Sequence, residues 1–559
     1  MFYSDLASVY EKLEATAKRL EKKEIIAELL KRASEEDLAR VMYLIHGKVF
    51  PSTDERKIGI SSQLIIKAIA LSTGNNSEKI TKLWKKIGDL GIVAENLIRE
   101  TKQKTLVSKK LDVKKVFDNI RQAAEMQGKG TVSKKVNLVA ELLTSASPLE
   151  TRYIVRTVLE VLRIGVAEGV IREAIATAYN VNVQEVENAY SLIVDYAEVA
   201  KLAKSHELNK ISLTPGKPLE PMLAVRVESI KEAFEALGKP AQFEYKLDGF
   251  RVEIHKMHGK ISLFTRRMEN VTKQFSELVP IIEKNVKADN FILDSEVVGY
   301  SQKTHKYMPF QTISQRIKRK YELKEMARQF PVEINVFDII YFNGKALMSE
   351  EFEKRRDILE KIIKQERFKI ILTKKLVTDD EKQAEKFYKE ALEAGTEGVM
   401  IKKINGAYVP GRHVGGWVKF KPIMETLDLV IVGGEWGEGK RATWLSSFDL
   451  ACIDEEGNFL AVGKVGTGIK EKAEEQGLSF EQLTKELKPL IEKEDARHVS
   501  IKPKLVVEVA YEEIQKSPTY KSGLALRFPR ILRIRYDRKA DECDTIERIE
   551  EMFGKQKKR

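Results

Sequence analysis

The period of the hydrophobic pattern changes along this chain, and that change constrains the fold more than any other sequence feature. In the first part, apolar residues such as Val155, Val158 and Leu162 recur at the spacing of one buried helix face. Beyond the Pro/Gly-rich stretch 213–218, apolar and polar residues alternate as in strands, between helical segments. From about residue 425 onward, short β-type runs dominate. Such a chain requires more than one hydrophobic core.

These changes predict a multidomain protein with three domains. Residues 1–213 are predicted to form an all-α domain, and residues 214–424 an α+β domain with helices at 268–283 and 351–365. Residues 425–559 are predicted to form a small β-barrel of the oligonucleotide-binding (OB) type, with a helical insertion at 471–491. Its predicted strands are 429–432, 448–453, 459–465, 506–509 and 531–534.

The composition restricts the classes of partner and compartment. The chain has 97 Lys and Arg against 84 Asp and Glu, a net charge of +13. This surplus favours a polyanionic partner such as nucleic acid, because binding releases the counterions of the phosphates. The sequence shows neither a bilayer-spanning apolar run nor a signal peptide, so we expect an intracellular protein with no membrane partner. Two cysteines, Cys452 and Cys543, are too few for a disulfide scaffold or a cysteine-built zinc site.

The segment 244–251, Glu-Tyr-Lys-Leu-Asp-Gly-Phe-Arg, carries the strongest chemical signal. Lysine attacks phosphorus only as the neutral amine, which cationic neighbours or a metal ion favour. A strand that ends at Lys246, just before Asp248 and Gly249, would place the amine at the floor of a pocket. A single lysine on a strand is more often a solvated edge residue, so Lys246 alone would not indicate chemistry.

Further polar segments follow in a fixed order. They are Thr265-Arg266, Asp294-Ser295-Glu296, Asn335-Val336-Phe337-Asp338, 397–402, 417–422 and 526–538. Lys419 and Lys421 stand at i, i+2 spacing, which puts both ammonium groups on one face of a strand. Together with the segment 244–251, this ordered set resembles the covalent nucleotidyltransferases, and specifically the ATP-dependent DNA ligases of archaea and eukaryotes. The resemblance extends over the helical N-terminal region and so covers nearly the whole chain.

The resemblance implies a role for each matching residue. Lys246 would form the lysyl-AMP intermediate, and Glu296 and Glu397 would hold Mg²⁺, a hard ion that prefers oxygen ligands. The implied nucleotide contacts are Glu244 (adenine amino group), Arg251, Arg266 (ribose or nick phosphates), Glu296, Phe337 (adenine stacking), Arg412, Lys419 and Lys421 (α-phosphate). The segment that orients pyrophosphate would comprise Arg527, Arg530, Arg535, Asp537 and Arg538. The family commonly has lysine where Arg538 stands; arginine keeps the charge but binds phosphate through a planar fork.

The implied activity is the sealing of nicks in duplex DNA, in replication, repair and recombination, with ATP as cosubstrate and Mg²⁺ as metal. The helical domain would bind the DNA backbone without reading sequence. A hinge at 422–428 would let the C-terminal domain serve ATP first and DNA afterwards. We expect a cytoplasmic monomer, nucleoid-associated in a prokaryote. A sliding clamp is a candidate partner, through a segment such as 103–107.

Three other functions share some of these sequence features. A capping guanylyltransferase or RNA ligase shares the Lys-x-Asp-Gly core, but such proteins generally lack the long helical region. A non-catalytic DNA-binding clamp would also be basic, yet the motif lysines and acids are all present here. An NAD⁺-dependent ligase typically carries a four-cysteine zinc site, which two cysteines cannot build.

Overall fold

The computed structural model describes residues 1–558 apart from 52, 55, 57, 102–109, 127–129, 318, 320, 412–415, 423–424, 438–440, 442, 472–477 and 496. The chain divides into two compact units, Met1–Leu83 with Leu90–Lys421, and Trp84–Asp89 with Pro422–Arg559. The first unit holds both the helical and the α+β region, so the boundary at 213/214 stays a prediction. Among the described helices, none combines the length and the apolar character needed to cross a bilayer.

The N-terminal region is helical, as predicted. Its helices are α1 (Tyr3–Ala15), α2 (Arg19–Arg32), α3 (Glu35–Ile45), α4 (Ser62–Thr73), α5 (Ser77–Ile87), α6 (Leu90–Glu100), α7 (Val113–Glu125), α8 (Thr131–Ser145), α9 (Pro148–Val158), α10 (Glu168–Tyr179), α11 (Val183–Ile193) and α12 (Tyr196–Lys204). Helix α9 shows how the sequence sets a helix start. Ser147 and Glu150 form a reciprocal capping box, and Pro148 fills the first turn, where its missing N–H costs nothing.

The α+β region contains two sheets flanked by helices. Its strands are β1 (Val225–Arg226), β2 (Ala241–Lys246), β3 (Phe250–Met257), β4 (Lys260–Thr265), β5 (Phe291–Tyr300), β6 (Tyr307–Met308), β7 (Val332–Phe342), β8 (Lys345–Ala346), β9 (Ile370–Leu372), β10 (Lys375–Thr378), β11 (Gly398–Lys403) and β12 (Trp417–Phe420). Its helices are α13 (Ile230–Leu237), α14 (Leu278–Asn285), α15 (Phe310–Ile317), α16 (Leu323–Gln329), α17 (Phe352–Ile362) and α18 (Glu381–Glu393). The first sheet has the order β1-β12-β11-β2-β10, and the second β4-β3-β5-β7-β8, with β6 beside β5 and β9 beside β7.

The C-terminal region is rich in strands. They are β13 (Leu427–Trp436), β14 (Leu445–Ile453), β15 (Phe459–Val465), β16 (Ile491–Asp495), β17 (His498–Ile501), β18 (Val506–Ala510), β19 (Glu513–Lys516), β20 (Leu524–Arg527) and β21 (Arg530–Ile534), with α19 (Phe480–Leu487) and α20 (Ile546–Lys558). The main sheet runs β15-β14-β13-β17-β16, and β18 joins β13 to β21. Strand β13 pairs with β18 through Leu427–Val430 and with β17 through Gly433–Glu435.

The fold class is confirmed, although among the described residues the OB-type barrel predicted for the C-terminal region is not closed. Among the described residues, the ladders of β15 and β21 do not meet, so the OB-like sheet stays open. Strand β15 ends at Val465, and a backbone bond from Ile531 N–H to Thr467 O (3.1 Å) lies beyond that end. The five predicted strands are present, and β16, β17, β19 and β20 were missed.

Two predicted helices are wrong in part. Residues 268–277 precede α14 and form turns, with Met268 at φ 64° and the Thr272 hydroxyl bonded to Asn270 (2.7 Å). These local side-chain bonds compete with the helical ladder. Within the predicted helix 471–491, the described helix is α19, and Ile491 already begins β16.

Candidate active site

One face of the first sheet collects the polar residues that the sequence singled out. In the register, Lys246 faces Gly398 across β2 and β11, and Glu244 faces Met400, which in turn faces Lys419 of β12. Side chains two apart on a strand share a face, so Glu244, Lys246 and Lys419 lie on the same side. The opposite face, including Phe243, packs with α13 and α18 in a hydrophobic core. Burial of that core face therefore determines which side chains line the site.

Lys246 forms an ion pair with Glu397. The lysine is the last residue of β2, and the backbone N–H of Glu397 donates to its carbonyl oxygen (2.8 Å), so the residue before β11 is held beside it. The ammonium group of Lys246 contacts the Glu397 carboxylate directly, and both side chains are partly exposed. The predicted strand end is confirmed, and the amine lies against an acid.

Glu296 lies beside this pair. It sits on β5 directly opposite Arg251 of β3. Burial raises the pKa of the Glu296 carboxyl from its ordinary 4.5 to about 8; Lys246 and Arg251 lower the pKa, whereas Glu397 and Asp294 raise it. The structure therefore brings Lys246, Glu296 and Glu397 into one electrostatic cluster.

Arg251 is bound by neighbouring protein groups. Its Nε donates to Asp294 Oδ1 (2.8 Å) and Nη2 to the same carboxylate, while Nη1 donates to the carbonyl of Met222 and Nη2 also to the hydroxyl of Tyr408 (3.0 Å). Burial disfavours the charged guanidinium and lowers the pKa of Arg251, but Asp294, Tyr408 and Glu253 together outweigh that effect and raise this pKa. Arg251 thus ties β3 to β5 at the floor of the site, and Asp294 and Tyr408 are residues that the sequence did not single out for a role.

Glu244 is almost completely buried. Its Oε1 accepts from Gln242 Nε2 (2.7 Å), and its Oε2 lies 2.7 Å from the Nζ of Lys402. Burial lowers the pKa of the Lys402 ammonium, and the charge of Glu244 partly offsets that effect. The side chain of Arg356 also lies 3.4 Å from Glu244. All three neighbours of Glu244 carry N–H groups, so its carboxylate acts as an acceptor.

Phe337 occupies the irregular point of β7, where the register with β5 shifts between Asp294 and Ser295. Its ring lies 4.5 Å from Lys402 Nζ and 5.8 Å, edge to face, from the ring of Trp417. Lys402 and Trp417 belong to the first sheet and Phe337 to the second, so the aromatic contact joins the two sheets. The ring remains partly exposed, as a stacking surface requires.

Two glycines are needed for close packing around the lysine. A Cβ on Gly249 would lie 2.4 Å from the carbonyl oxygen of Val297. A Cβ on Gly398, where φ is +140°, would lie 2.3 Å from the carbonyl oxygen of Phe420. Asp248, between Lys246 and Gly249, accepts a hydrogen bond from the backbone N–H of Phe310 (3.0 Å). The Lys-x-Asp-Gly spacing thus matches local backbone packing as well as chemistry.

The other predicted nucleotide contacts of the α+β region are Lys421, Arg266 and Arg412. Lys421 follows β12 directly, and a Gly398 Cβ would lie 3.0 Å from its Cα, so Lys421 stands next to the site. Arg266 is exposed in the turn after β4. Arg412 lies outside the described residues. No group of three or more His, Cys, Asp or Glu side chains that could hold a metal occurs within the described part of the chain.

The predicted pyrophosphate segment lies in the C-terminal unit. Arg527 ends β20 and pairs with Glu513 (3.0 Å), and Arg530 begins β21 and is exposed. Arg535 and Arg538 both pair with Asp428, which the sequence did not single out. Asp428 carries no local pattern that would have identified it, because its contact with Arg535 spans 107 positions. Lys402, by contrast, lies in the predicted segment 397–402, two residues after Met400, which faces Glu244. The alternation of side chains along a strand could therefore have placed Lys402 on the same face as the site.

Comparisons with known proteins show which family this chain resembles. Three protein families match in chain order: DNA ligase N terminus at residues 1–176, ATP dependent DNA ligase domain at 221–421, and ATP dependent DNA ligase C terminal region at 441–538. A DNA ligase of Nanoarchaeum equitans is 47% identical over 562 residues, covering 100% of this chain and 99% of that protein. A DNA ligase of Thermococcus fumicolans is 42% identical, with the same coverage. The solved structure named Pmar-Lig_PreS3 covers 96% of this chain and 99% of its own, at 18% identity and a TM-score of 0.59, a likeness in fold.

Proposed function

Because the chain belongs to the ATP-dependent DNA ligases, enzymes that seal nicks in duplex DNA, we propose that Lys246 is the residue that carries AMP. The observation that carries the proposal is the position of Lys246. It ends β2 in contact with Glu397, on the same sheet face as Glu244 and Lys419. The ion pair with Glu397 holds the amine in place but favours the charged ammonium, so the neutral nucleophile requires cationic neighbours or a metal ion that offset this carboxylate.

Glu244 and Phe337 would bind the adenine base. Glu244 presents a carboxylate held by Gln242 and Lys402, an arrangement that accepts hydrogen bonds and so suits the adenine amino group. Phe337 offers a partly exposed ring against which the base would stack. Lys419 and Lys421 would bind the α-phosphate. Arg266 and Arg412 remain predicted nucleotide contacts.

Glu296 and Glu397 fit a magnesium ion. They provide two carboxylates beside Lys246, and the charges of Glu296 and Glu397 act on each other. Mg²⁺ commonly takes one or two protein carboxylates and completes its octahedron with water and substrate phosphates, so it needs no closed cage of protein ligands. When bound, the ion would neutralise charge on the phosphates of ATP. Arg251, already bound to Asp294, would hold Glu296 in place across the β3–β5 ladder.

Three transfers would follow. Lys246 Nζ attacks the α-phosphorus of ATP, an N–P bond forms, and the bond to the leaving pyrophosphate breaks. The 5′-phosphate of the nick then attacks the same phosphorus and releases Lys246, leaving AMP on the DNA. Finally the 3′-hydroxyl attacks the 5′-phosphate, and AMP departs. Because little covalent chemistry falls to the protein, most of the rate would come from positioning and charge stabilisation.

The wider context of the enzyme also belongs to this proposal. The domains would be 1–213 for DNA binding, 214–424 for adenylation and 425–559 for the OB-like region, with a hinge at 422–428. We expect a monomer acting on nicked duplex DNA in the cytoplasm, nucleoid-associated in a prokaryote. A sliding clamp stays a candidate partner, and the segment 103–107 considered for it lies outside the described residues.

Intact mass spectrometry tests the central claim. Protein freed of bound AMP is incubated with ATP and Mg²⁺ in the absence of DNA, as wild type and as Lys246→Ala. We expect wild type to gain the mass of one AMP and the variant to gain none. An adduct on Lys246→Ala would move the nucleophile elsewhere, and no adduct on wild type would contradict the lysyl-AMP mechanism.

A further inference from the structure

Arg535 is held between two carboxylates of its own unit. Its Nη1 donates to both oxygens of Asp428 (2.9 and 2.7 Å). Its Nε and Nη2 donate to Asp537 Oδ1 (2.9 Å) and Oδ2 (2.7 Å). A guanidinium group has five N–H donors, so these contacts use most of its capacity. Arg535 thus bridges two carboxylates and has few N–H donors left to bind a phosphate.

Asp428 is anchored from its backbone as well. Its N–H donates to Asp544 Oδ2 (2.8 Å), and its carbonyl accepts from the N–H of Asp544 (2.8 Å). Its side chain is 11% exposed and also lies 3.1 Å from the Nε of Arg538. Arg535 and Arg538, from the segment that follows β21, therefore both bind Asp428, which is the second residue of β13 and the last residue of the predicted hinge 422–428.

Asp537 and Arg538, the partners of the Asp428–Arg535 pair, are more exposed than the pair itself. Asp537 is 65% exposed and Arg538 38%, against 16% for Arg535. Arg538 donates through Nη1 to the carbonyl of Glu542 (2.9 Å) as well as pairing with Asp428 through Nε. The buried members of the cluster thus hold the exposed members at defined positions.

We propose that Asp428 and Arg535 are positioning residues for the first transfer, which hold the segment 535–538 so that the guanidinium group of Arg538 can meet the pyrophosphate of ATP. The inference rests on the proposed function, because it assigns this segment to lysyl-AMP formation. It changes the role expected for Arg535 from a phosphate ligand to a residue that acts through its neighbours. Asp428 becomes a member of the phosphate-handling segment despite its distance in sequence.

The chain offers a matched control pair on the same strands. Glu508 of β18 stands opposite Asp428 of β13, and its Oε2 lies 2.6 Å from the Nε of Arg533. Glu508→Gln therefore removes a carboxylate–guanidinium contact next to Asp428, and it also removes a charge that acts on Arg535 from a distance, while an amide oxygen can still accept from Thr426 (2.9 Å). Asp428→Asn keeps the shape and the backbone bonds of Asp428 but removes its charge.

The experiment compares Asp428→Asn, Glu508→Gln and wild type in two reactions. The first is the rate of AMP adduct formation over a range of ATP concentrations, and the second is the sealing of pre-adenylated nicked DNA without ATP. We expect Asp428→Asn to slow adduct formation about tenfold or more, with sealing within about twofold of wild type. Glu508→Gln should stay within about twofold in both reactions. A purely structural role would slow both reactions of Asp428→Asn together, and that result would overturn the proposal.

Arg535→Lys provides the second variant. A lysine keeps the charge but lacks the planar fork that binds Asp428 and Asp537 on separate edges, so we expect it to slow adduct formation as much as Arg535→Ala does. Adduct formation by Arg535→Lys close to the wild-type rate would overturn the positioning role, as would equal rates for Asp428→Asn and Glu508→Gln. Absence of the adduct in wild type is a separate result, which would overturn the proposed function together with this inference.

Discussion

Lys402 places its ammonium nitrogen 2.7 Å from a carboxylate oxygen of Glu244, and both side chains are 2% exposed. The ammonium also lies 4.4 Å from the ring of Trp417. A buried carboxylate is costly unless it is paired and hydrogen-bonded; Lys402 supplies the ion pair and Gln242 a hydrogen bond. The pair therefore defines the acceptor that we assign to the adenine amino group.

Nucleotide selectivity should depend on Glu244. The side-chain amide of Glu244→Gln can donate to the O6 of guanine, whereas the carboxylate only accepts. We expect the preference for ATP over GTP in adduct formation to fall by roughly tenfold or more. Competition between the two nucleotides, read by intact mass, measures the ratio. Glu360→Gln, which removes an exposed partner of Arg356, is the control. An unchanged ratio in Glu244→Gln would separate this residue from base recognition.

The acid beside the lysine should be essential for the first transfer. Glu397→Gln removes the charge that contacts Lys246 and one of the two proposed magnesium ligands. We expect the rate of adduct formation to fall by about 100-fold or more, with little change in melting temperature. The exposed Glu393, near the end of α18, provides Glu393→Gln as a control that should react normally. A rate for Glu397→Gln equal to that control would argue against both roles.

Gly398, the first residue of β11, should tolerate no side chain. Gly398→Ala would force a Cβ to 2.3 Å from the carbonyl oxygen of Phe420, so β12 must shift together with Lys419. We expect a loss of roughly 3 kcal/mol or more in the free energy of unfolding, and slower adduct formation. At Gly395, where φ is +79° and the space is open, alanine should cost about 1 kcal/mol from backbone strain alone. Urea denaturation compares the two variants, and equal losses would contradict the steric argument.

Acid should weaken the N-terminal helical region through His46. Burial lowers the pKa of His46 from 6.5 to about 4, and the charge of Lys48 adds to the effect. Between these values the unfolded chain binds a proton that the folded chain does not. Stability is therefore present above pH 6.5 and is lost as the pH falls toward 4.

His46→Phe should reduce that loss by up to about 3 kcal/mol. Phenylalanine keeps a ring to stack on Tyr196, whose centroid lies 5.1 Å away. Denaturation at neutral and at acidic pH measures the difference for wild type and variant. The exposed His206→Phe should retain the wild-type pH dependence. If His46→Phe also retains the wild-type pH dependence of stability, another group is responsible for the acid sensitivity.

Nick binding should depend steeply on salt. The surplus of 97 basic over 84 acidic residues favours phosphate contacts whose counterions are released on binding. We expect the affinity for nicked duplex DNA to fall about 100-fold or more between 50 and 200 mM salt, with little dependence on sequence. Fluorescence anisotropy with two duplexes of unrelated sequence measures the salt dependence and the sequence dependence of the affinity. A nearly flat salt dependence would exclude a backbone grip of this kind.

Local pattern was enough to identify much of this protein. The helical region and the five predicted strands of the C-terminal region follow from hydrophobic period, and β15 coincides with the predicted run 459–465. The ordered motifs around Lys246 predicted the chemistry through their resemblance to a family, because such motifs are short and can be read locally. The strand β16, with the sequence Ile-Glu-Lys-Glu-Asp, was missed because its residues favour other structures and its pairing with β17 overrides them.

Only the tertiary structure decided which of these residues meet. The contact of Lys402 with Glu244 and that of Asp428 with Arg535 depend on strand register, a non-local quantity that no short segment encodes. The open OB-like sheet likewise depends on where β15 and β21 end, which is determined by pairing partners distant in sequence. The sequence by itself thus determined most of the element types and predicted the reactive residues. The geometry around them came from burying one face of each sheet, which leaves only one register compatible with the core.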